Sequence, residues 1–262
     1  MDLASEKGAS SWLTTLRIEE FGFALHKSAF HDALALRYGW KPNRLPQHCT
    51  CGTTFSVEHA LSCPKGGFPT LRHNEVRDIT ATLLTEVCHE VCTEPGLQPI
   101  TGENFHRAST NTQDGARLDI AMCGFWGGRH ERSFCDVKVF NPHAPSNRGS
   151  SLVACYRKHE RLKKNCYEQR VLQVEHASFT PLIFAATGGL GNEAKCFYKR
   201  LASLLASKRD EPYSTTLAWL RCRLTFSLLR SAIRCIRGAR SRAGCPVRTS
   251  PVDLVSVEAG IH

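Results

Sequence analysis

Phe134-Cys135-Asp136-Val137-Lys138-Val139-Phe140 and, one turn earlier, Arg117-Leu118-Asp119-Ile120-Ala121-Met122 are two apolar runs that each carry charge in the middle. Asp and Lys are depleted in strands, and a charge among apolar neighbours is costly unless it is paired or bound to metal. Alternation along the later run puts Asp136 and Lys138 on one face and Cys135, Val137 and Val139 on the other. Two neighbouring strands can therefore present two carboxylates and an ammonium at one point. Such a set can hold a divalent cation and place a water against a phosphodiester. The plainer readings are acids at strand ends bonded to loops, or a strand Asp salt-bridged to a neighbour such as Arg117. The acid-x-Lys on one strand face weighs against them.

The rest of the chain frames these runs. Residues 12–38 alternate apolar and charged positions at helical spacing through Leu13, Leu16, Phe21, Phe23, Leu25, Phe30, Leu34 and Leu36, until Trp40-Lys41-Pro42-Asn43 breaks the pattern. Residues 64–69 read as a linker. A helix is expected over 72–92, with Ile79, Leu83, Val87 and Val91 on one face, stopped by Pro95-Gly96. Cys88 and Cys92 share a face of it as small packing residues. Strands are expected at 97–101, 116–122 and 133–140, the last two bounded by turns at 124–128 and 142–151. A basic helix over 152–174, a strand over 178–187, a helix over 192–207 and an amphipathic basic helix over 213–240 follow, and the tail 241–262 reads as frayed. The order helix, three strands, helix, strand, helix implies an α/β core with a mixed central sheet flanked by helices. The expected units are an N-terminal helical segment (1–44), a Cys/His segment (45–68), the α/β core (69–210) and a basic helix with its tail (211–262).

Composition bounds the function. A hydrophobic content of 42% supports a buried core, and a net charge of +10 favours a polyanionic partner. The basic residues concentrate in 157–170 and 221–242, which suits phosphate contacts and equally a merely soluble basic surface. Thirteen cysteines behind a polar, mixed-charge N-terminus point to a reducing, intracellular compartment with some thiols on metal. No apolar run approaches the length of a membrane span.

Cys49-x-Cys51, then His59 and Cys63, place four ligand-type side chains within fifteen positions. Zinc needs four such ligands in a tetrahedron. Gly52 permits the tight turn after the second cysteine, and His48 is an alternative donor. Ordinary buried cysteines are the competing reading.

Taken in order, these pieces resemble the restriction-like endonuclease of non-LTR retrotransposons, a branch of the PD-(D/E)XK nuclease superfamily. That family places a Cys-Cys-His-Cys knuckle ahead of the nuclease, as at Cys49, Cys51, His59 and Cys63. An Arg-His-Asn signature is matched by Arg72-His73-Asn74, the paired acids by Asp119 and Asp136, and a Lys/Tyr helix by Lys163-Lys164-Asn165-Cys166-Tyr167. The resemblance covers about residues 45–190. Leu118 stands where the family carries Pro, Asp136 where it carries Glu, and no reverse-transcriptase domain accompanies the motifs.

The resemblance implies a PD-(D/E)XK core and a Mg²⁺- or Mn²⁺-dependent DNA endonuclease acting in the nucleus after import. A reverse transcriptase from the same element is its implied partner. Asp119 and Asp136 would ligate Mg²⁺ beside the Val137 carbonyl, and the knuckle would hold Zn²⁺. Lys138 would orient water, and Lys164 and Tyr167, three apart on one helical face, would meet the phosphate. Glu75 is a candidate further metal ligand or simply a helix-start acid. Arg72, His73, Asn74, Lys158 and Lys163 are candidate nucleic-acid contacts, with Asn74 alternatively a helix N-cap and Tyr156 a weaker candidate. Two other functions compete: a knuckle-bearing nucleic-acid-binding protein without turnover, and a basic scaffold using residues 214–240 on a partner or membrane surface.

Overall fold

The structure is a computed structural model and describes residues 6, 8–99, 116–147 and 149–238. It is a mixed α/β architecture. In chain order the elements are α1 (Ser11–Thr14), α2 (Lys27–Tyr38), α3 (Val57–Ser62), α4 (Phe68–Thr85), β1 (His89–Thr93), β2 (Ile120–Cys123), β3 (Arg132–Phe140), α5 (Leu152–Gln173), β4 (Ser178–Ala185), α6 (Asn192–Arg209) and α7 (Tyr213–Arg237). The strands form one sheet in the order β1-β2-β3-β4. β1, β2 and β3 pair antiparallel, whereas β3 and β4 pair parallel, across the α5 crossover.

Alternation along β3 divides the helices between the two faces of the sheet. Cys135 and Val137, with Ile120 and Met122 of β2 and Leu182 and Phe184 of β4, pack against α4, α6 and α7. Phe134 and Phe140 face the other way, where α5 supplies Val171, Cys155 and Tyr156. Asp136 and Lys138 share that second face, so the acid-x-Lys motif lies under α5. The leucines Leu220, Leu224 and Leu228 of α7 belong to the main core. This helix is therefore a packed layer, not a free amphipathic surface. Among the described residues no helix is long and apolar enough to cross a membrane.

Several boundaries depart from the sequence reading. The helix expected over 72–92 begins at Phe68 and ends at Thr85. Its start is earlier because Pro69 sits in the first turn, where a missing N–H costs nothing. Its end is earlier because residues 89–93 pair with β2, and tertiary pairing overrides a helical spacing of apolar residues. Cys88 and Cys92 therefore do not share a helix face: Cys88 is buried and Cys92 is exposed on β1. The first strand is His89–Thr93 rather than 97–101; of that stretch only 97–99 is described, without strand structure, and 100–101 lie outside the described residues. The expected strand 116–122 shortens to β2, preceded by a single bridge between Gly96 and Arg117. The N-terminal helical pattern splits into α1 and α2 around a turn at Gly22, whose φ of 68° favours glycine. The tail 241–262 lies outside the described residues.

Candidate functional site

Asp119 is the residue immediately before β2, and its backbone N–H donates to the Cys135 carbonyl at 3.2 Å. This places its carboxylate beside the middle of β3. Oδ2 accepts the Val137 N–H at 2.5 Å, and Oδ1 meets His73 Nε2 of α4 at 3.0 Å. Burial pushes the Asp119 pKa up, but the bond and charge of His73, the Val137 N–H and the Lys163 charge outweigh it. The net pKa falls below the ordinary carboxylate value, so Asp119 is ionised.

Asp136 lies against Asp119 and is only 5% exposed. Its Oδ2 is in ionic contact with the Lys163 ammonium of α5 and accepts no well-directed hydrogen bond. Burial raises its pKa to about 7; Lys163 pulls the value down, while the neighbouring Asp119 pushes it up. Two adjacent carboxylates of which one resists ionisation are a place that calls for more positive charge.

Lys138 stands on the same face, half-buried. Burial and the nearby Lys163 charge lower its pKa, against the pull of Asp136. Tyr167 lies beside this group, with Lys163 Nζ 5.6 Å from its ring centroid; burial and then the Asp136 charge push its phenol up. The structure thus brings together Asp119, Asp136, Lys138, Lys163, Tyr167 and His73.

The other sequence candidates lie elsewhere. Lys164 turns to α6, where Nζ meets Glu193 at 2.8 Å, so the helix lysine over the acids is Lys163. Glu75 turns to α7 and accepts the Ser231 hydroxyl at 2.5 Å. It is two residues from His73, hence on the opposite side of α4, and it sits well inside the helix rather than at its start. Asn74 is also inside α4, whose N-cap is Gly67, so it caps nothing. Arg72 is 3% exposed and donates to the Leu61 carbonyl at 3.2 Å. A guanidinium so enclosed holds helices together and has no face for DNA. Lys158 remains exposed and donates to the Ser146 carbonyl, while Tyr156 is buried and donates to Glu6.

Sequence reading passed over His159, one helical turn before Lys163. It is 8% exposed, neither ring nitrogen has a partner, and its ring lies 4.7 Å from that of Phe140. Burial, then the charges of Lys138, Lys158 and Lys163, push its pKa down to about 4, so it is a neutral imidazole under a lysine cluster. The available signal was its i, i+4 spacing to Lys163.

The Cys/His segment forms a second centre. Ser56 caps α3 by accepting the His59 N–H at 3.1 Å, which presents His59 and Cys63 from one short helix to the turn carrying Cys49 and Cys51. The four ligand atoms all lie within 4.8 Å of one another. Cys49 Sγ and Cys63 Sγ are 3.7 Å apart, and Cys51 Sγ and His59 Nε2 are 3.3 Å apart. Zn–S bonds of about 2.3 Å in a tetrahedron give an S···S edge of about 3.8 Å. The cluster can therefore hold a metal ion such as zinc. His48 is exposed, outside that group. The knuckle is moored to the core: Asn141, directly after β3, donates to the Glu58 carbonyl and the Ser62 hydroxyl at 2.9 and 2.8 Å. Lys138 is three residues from that mooring, about 10 Å along the strand. No protein-family model matches the chain, and a search of curated proteins likewise finds no match.

Proposed function

We propose that this chain is a metal-dependent DNA endonuclease with a PD-(D/E)XK-type core, derived from a retrotransposon and acting on nuclear DNA. The observation that carries the reading is the Asp119–Asp136 pair, packed carboxylate to carboxylate with Lys138 on the same strand face. Residues in such an arrangement raise the cost of folding, and functional sites are where that cost is tolerated.

The pair fits a hard divalent cation. Asp136 Oδ2 is a buried carboxylate oxygen without a directed hydrogen bond, and in the free protein a lysine ammonium supplies its positive neighbour. Two carboxylates suffice for Mg²⁺, which keeps several waters of its own. Asp119 and Asp136 would hold the ion, with the Val137 carbonyl as an adjacent oxygen. When bound, it supplies Lewis-acid charge at the phosphate and lowers the pKa of water at neutral pH.

The chain's own groups do the rest. His73 and the Val137 N–H fix both oxygens of Asp119, so this ligand is oriented before anything binds. Lys138, with its lowered pKa, would orient water or donate to a phosphate oxygen. Lys163 partly offsets the Asp136 charge in the free protein and would offer its own charge to the phosphodiester. The four cysteine and histidine ligands would close a structural Zn²⁺ centre, whose mooring at Asn141 ties the knuckle to the end of β3, the strand that carries Asp136 and Lys138.

A second reading, nucleic-acid binding without turnover, draws on the same Lys163 contact, since that ammonium already fills the charge demand of Asp136. Nicking of supercoiled plasmid with and without Mg²⁺ separates the two. Endonuclease function predicts nicking by the wild type that falls to background in Asp136→Ala and Asp119→Ala. Binding without nicking, with either Mg²⁺ or Mn²⁺, would leave the non-catalytic reading standing alone.

A further inference from the structure

Helix α2 ends at Tyr38, and Gly39 follows in the left-handed region with a φ of 68°. The Trp40 N–H then returns to the Ala35 carbonyl at 2.8 Å. This reversal folds the indole back on the phenol ring: the centroids are 4.9 Å apart and the planes 25° from parallel. Both rings stay in water, Tyr38 at 49% and Trp40 at 60% exposed. Isolated exposed apolar residues need no explanation. A stacked exposed pair with a guanidinium over it does, and the Arg37 guanidinium carbon lies 5.5 Å from the Tyr38 centroid.

The charge along the flanking chain has one sign. Residues 33–57 contain Arg37, Lys41 and Arg44 and no acid. Lys41 and Arg44 are exposed. The nearest acid before them, Asp32, is buried and taken by Arg237 of α7 in a two-pronged ion pair at 2.7 and 2.5 Å. That pair also fastens α2 to the core, so the rings are presented by a fixed element. The Cys/His cluster begins five residues beyond Arg44.

From this we infer that Tyr38 and Trp40 form a stacking platform for an unpaired base of single-stranded nucleic acid, with Lys41 and Arg44 holding the adjoining phosphates. Exposed aromatic faces beside cations are the equipment of single-strand binding: every base has a π-face, and the backbone supplies the negative charge. A duplex keeps its bases stacked on one another and cannot offer such a face without unpairing. The platform is separate from the acid pair, and its occupancy does not depend on turnover.

The test uses the full chain, loaded with zinc and without Mg²⁺, so that no cleavage occurs. Fluorescence anisotropy follows a labelled oligothymidylate and, separately, a hairpin duplex of equal length. Trp40→Ala is expected to weaken the single strand roughly 5- to 150-fold, the range of one base–aromatic stack, and to leave duplex affinity and the salt slope unchanged. Trp40→Phe keeps a stacking ring and retains most of the single-strand affinity, while losing the part of the tryptophan quenching that the wild type shows on oligothymidylate addition. Lys41→Ala with Arg44→Ala reduces the slope of log affinity against log salt by about one to two. The inference is overturned if Trp40→Ala binds oligothymidylate like the wild type, which would leave the pair as a helix-end contact or a protein-docking surface. It is also overturned if quenching by oligothymidylate is the same in Trp40→Phe and the wild type.

Discussion

In the Cys/His cluster, four donors converge at distances that match a tetrahedral ion, and each arises from a turn or a capped helix that the local sequence specifies. In the acid pair, the carboxylate of β3 and that of the residue before β2 press together under a helix, and burial raises the pKa of the β3 acid. The first centre is a converged ligand set that a bound ion would stabilise. The second works against the fold, because burial and the Asp119 charge make ionising Asp136 costly even with the Lys163 ammonium beside it. The contrast is one of cost: the cysteine and histidine donors converge without electrostatic strain, whereas the carboxylate pair carries a desolvation penalty.

Breaking the first centre should have the largest effect. Structural zinc in small modules contributes on the order of 10 kcal/mol of apparent binding energy. Cys63→Ser, or chelation, is expected to melt α3 and the turn before it, seen as loss of amide-exchange protection from 49 to 63. The sheet should keep its protection, because the main core contains no residue of the knuckle, whose Leu61 packs in a separate cluster with Phe68, Ala232 and Cys235.

Breaking the second centre should do the reverse and relieve the fold. The Asp136 pKa is raised in the folded protein, to about 7 from an ordinary 3.8. The native state therefore binds the proton more tightly than the unfolded chain. Its contribution is full below about pH 4 and disappears as pH rises through 7, up to roughly 4 kcal/mol across the window. Thermal unfolding without added Mg²⁺ should show wild-type Tm falling between pH 5 and 8 more steeply than that of Asp136→Asn. Equal pH slopes would remove the claim that Asp136 is under-neutralised.

A smaller effect sharpens the comparison within α5. Lys163→Ala removes the cation that lowers the Asp136 pKa and should move that titration to still higher pH. Lys164→Ala loses only partly exposed pairs to Glu193 and Glu168 and should change stability by less than about 1 kcal/mol and the Asp136 titration not at all. Following the Asp136 carboxyl by carbon-detected NMR would separate the two lysines.

How much of this was legible depends on the range of the interaction. The mixed sheet flanked by helices followed from alternation in β3 and from the order of apolar runs, and the Cys/His cluster followed from spacing alone. The start of the sheet was hidden, because Val87 and Val91 satisfy a helical spacing while their neighbours pair with β2. Which lysine of Lys163-Lys164 faces the acids was equally hidden. One residue turns a helix by about 100°, and only the seating of α5 decides between Asp136 and Glu193. Arg72 looked like a phosphate ligand because its partners, the Leu61 carbonyl and Cys235, lie on α3 and α7, the latter far along the chain. His159 carried no motif at all; its burial beneath three lysines is visible only once β3 and α5 are packed.

The most direct test of the central claim is Mn²⁺ binding followed by electron paramagnetic resonance on the zinc-loaded protein. The account predicts that the wild type binds the ion with an affinity that rises from pH 6 to 8 as Asp136 gives up its proton, and that Asp136→Asn and Asp119→Asn lose this binding while staying folded. Mn²⁺ bound equally by wild type and both variants, or not bound by any, would contradict it.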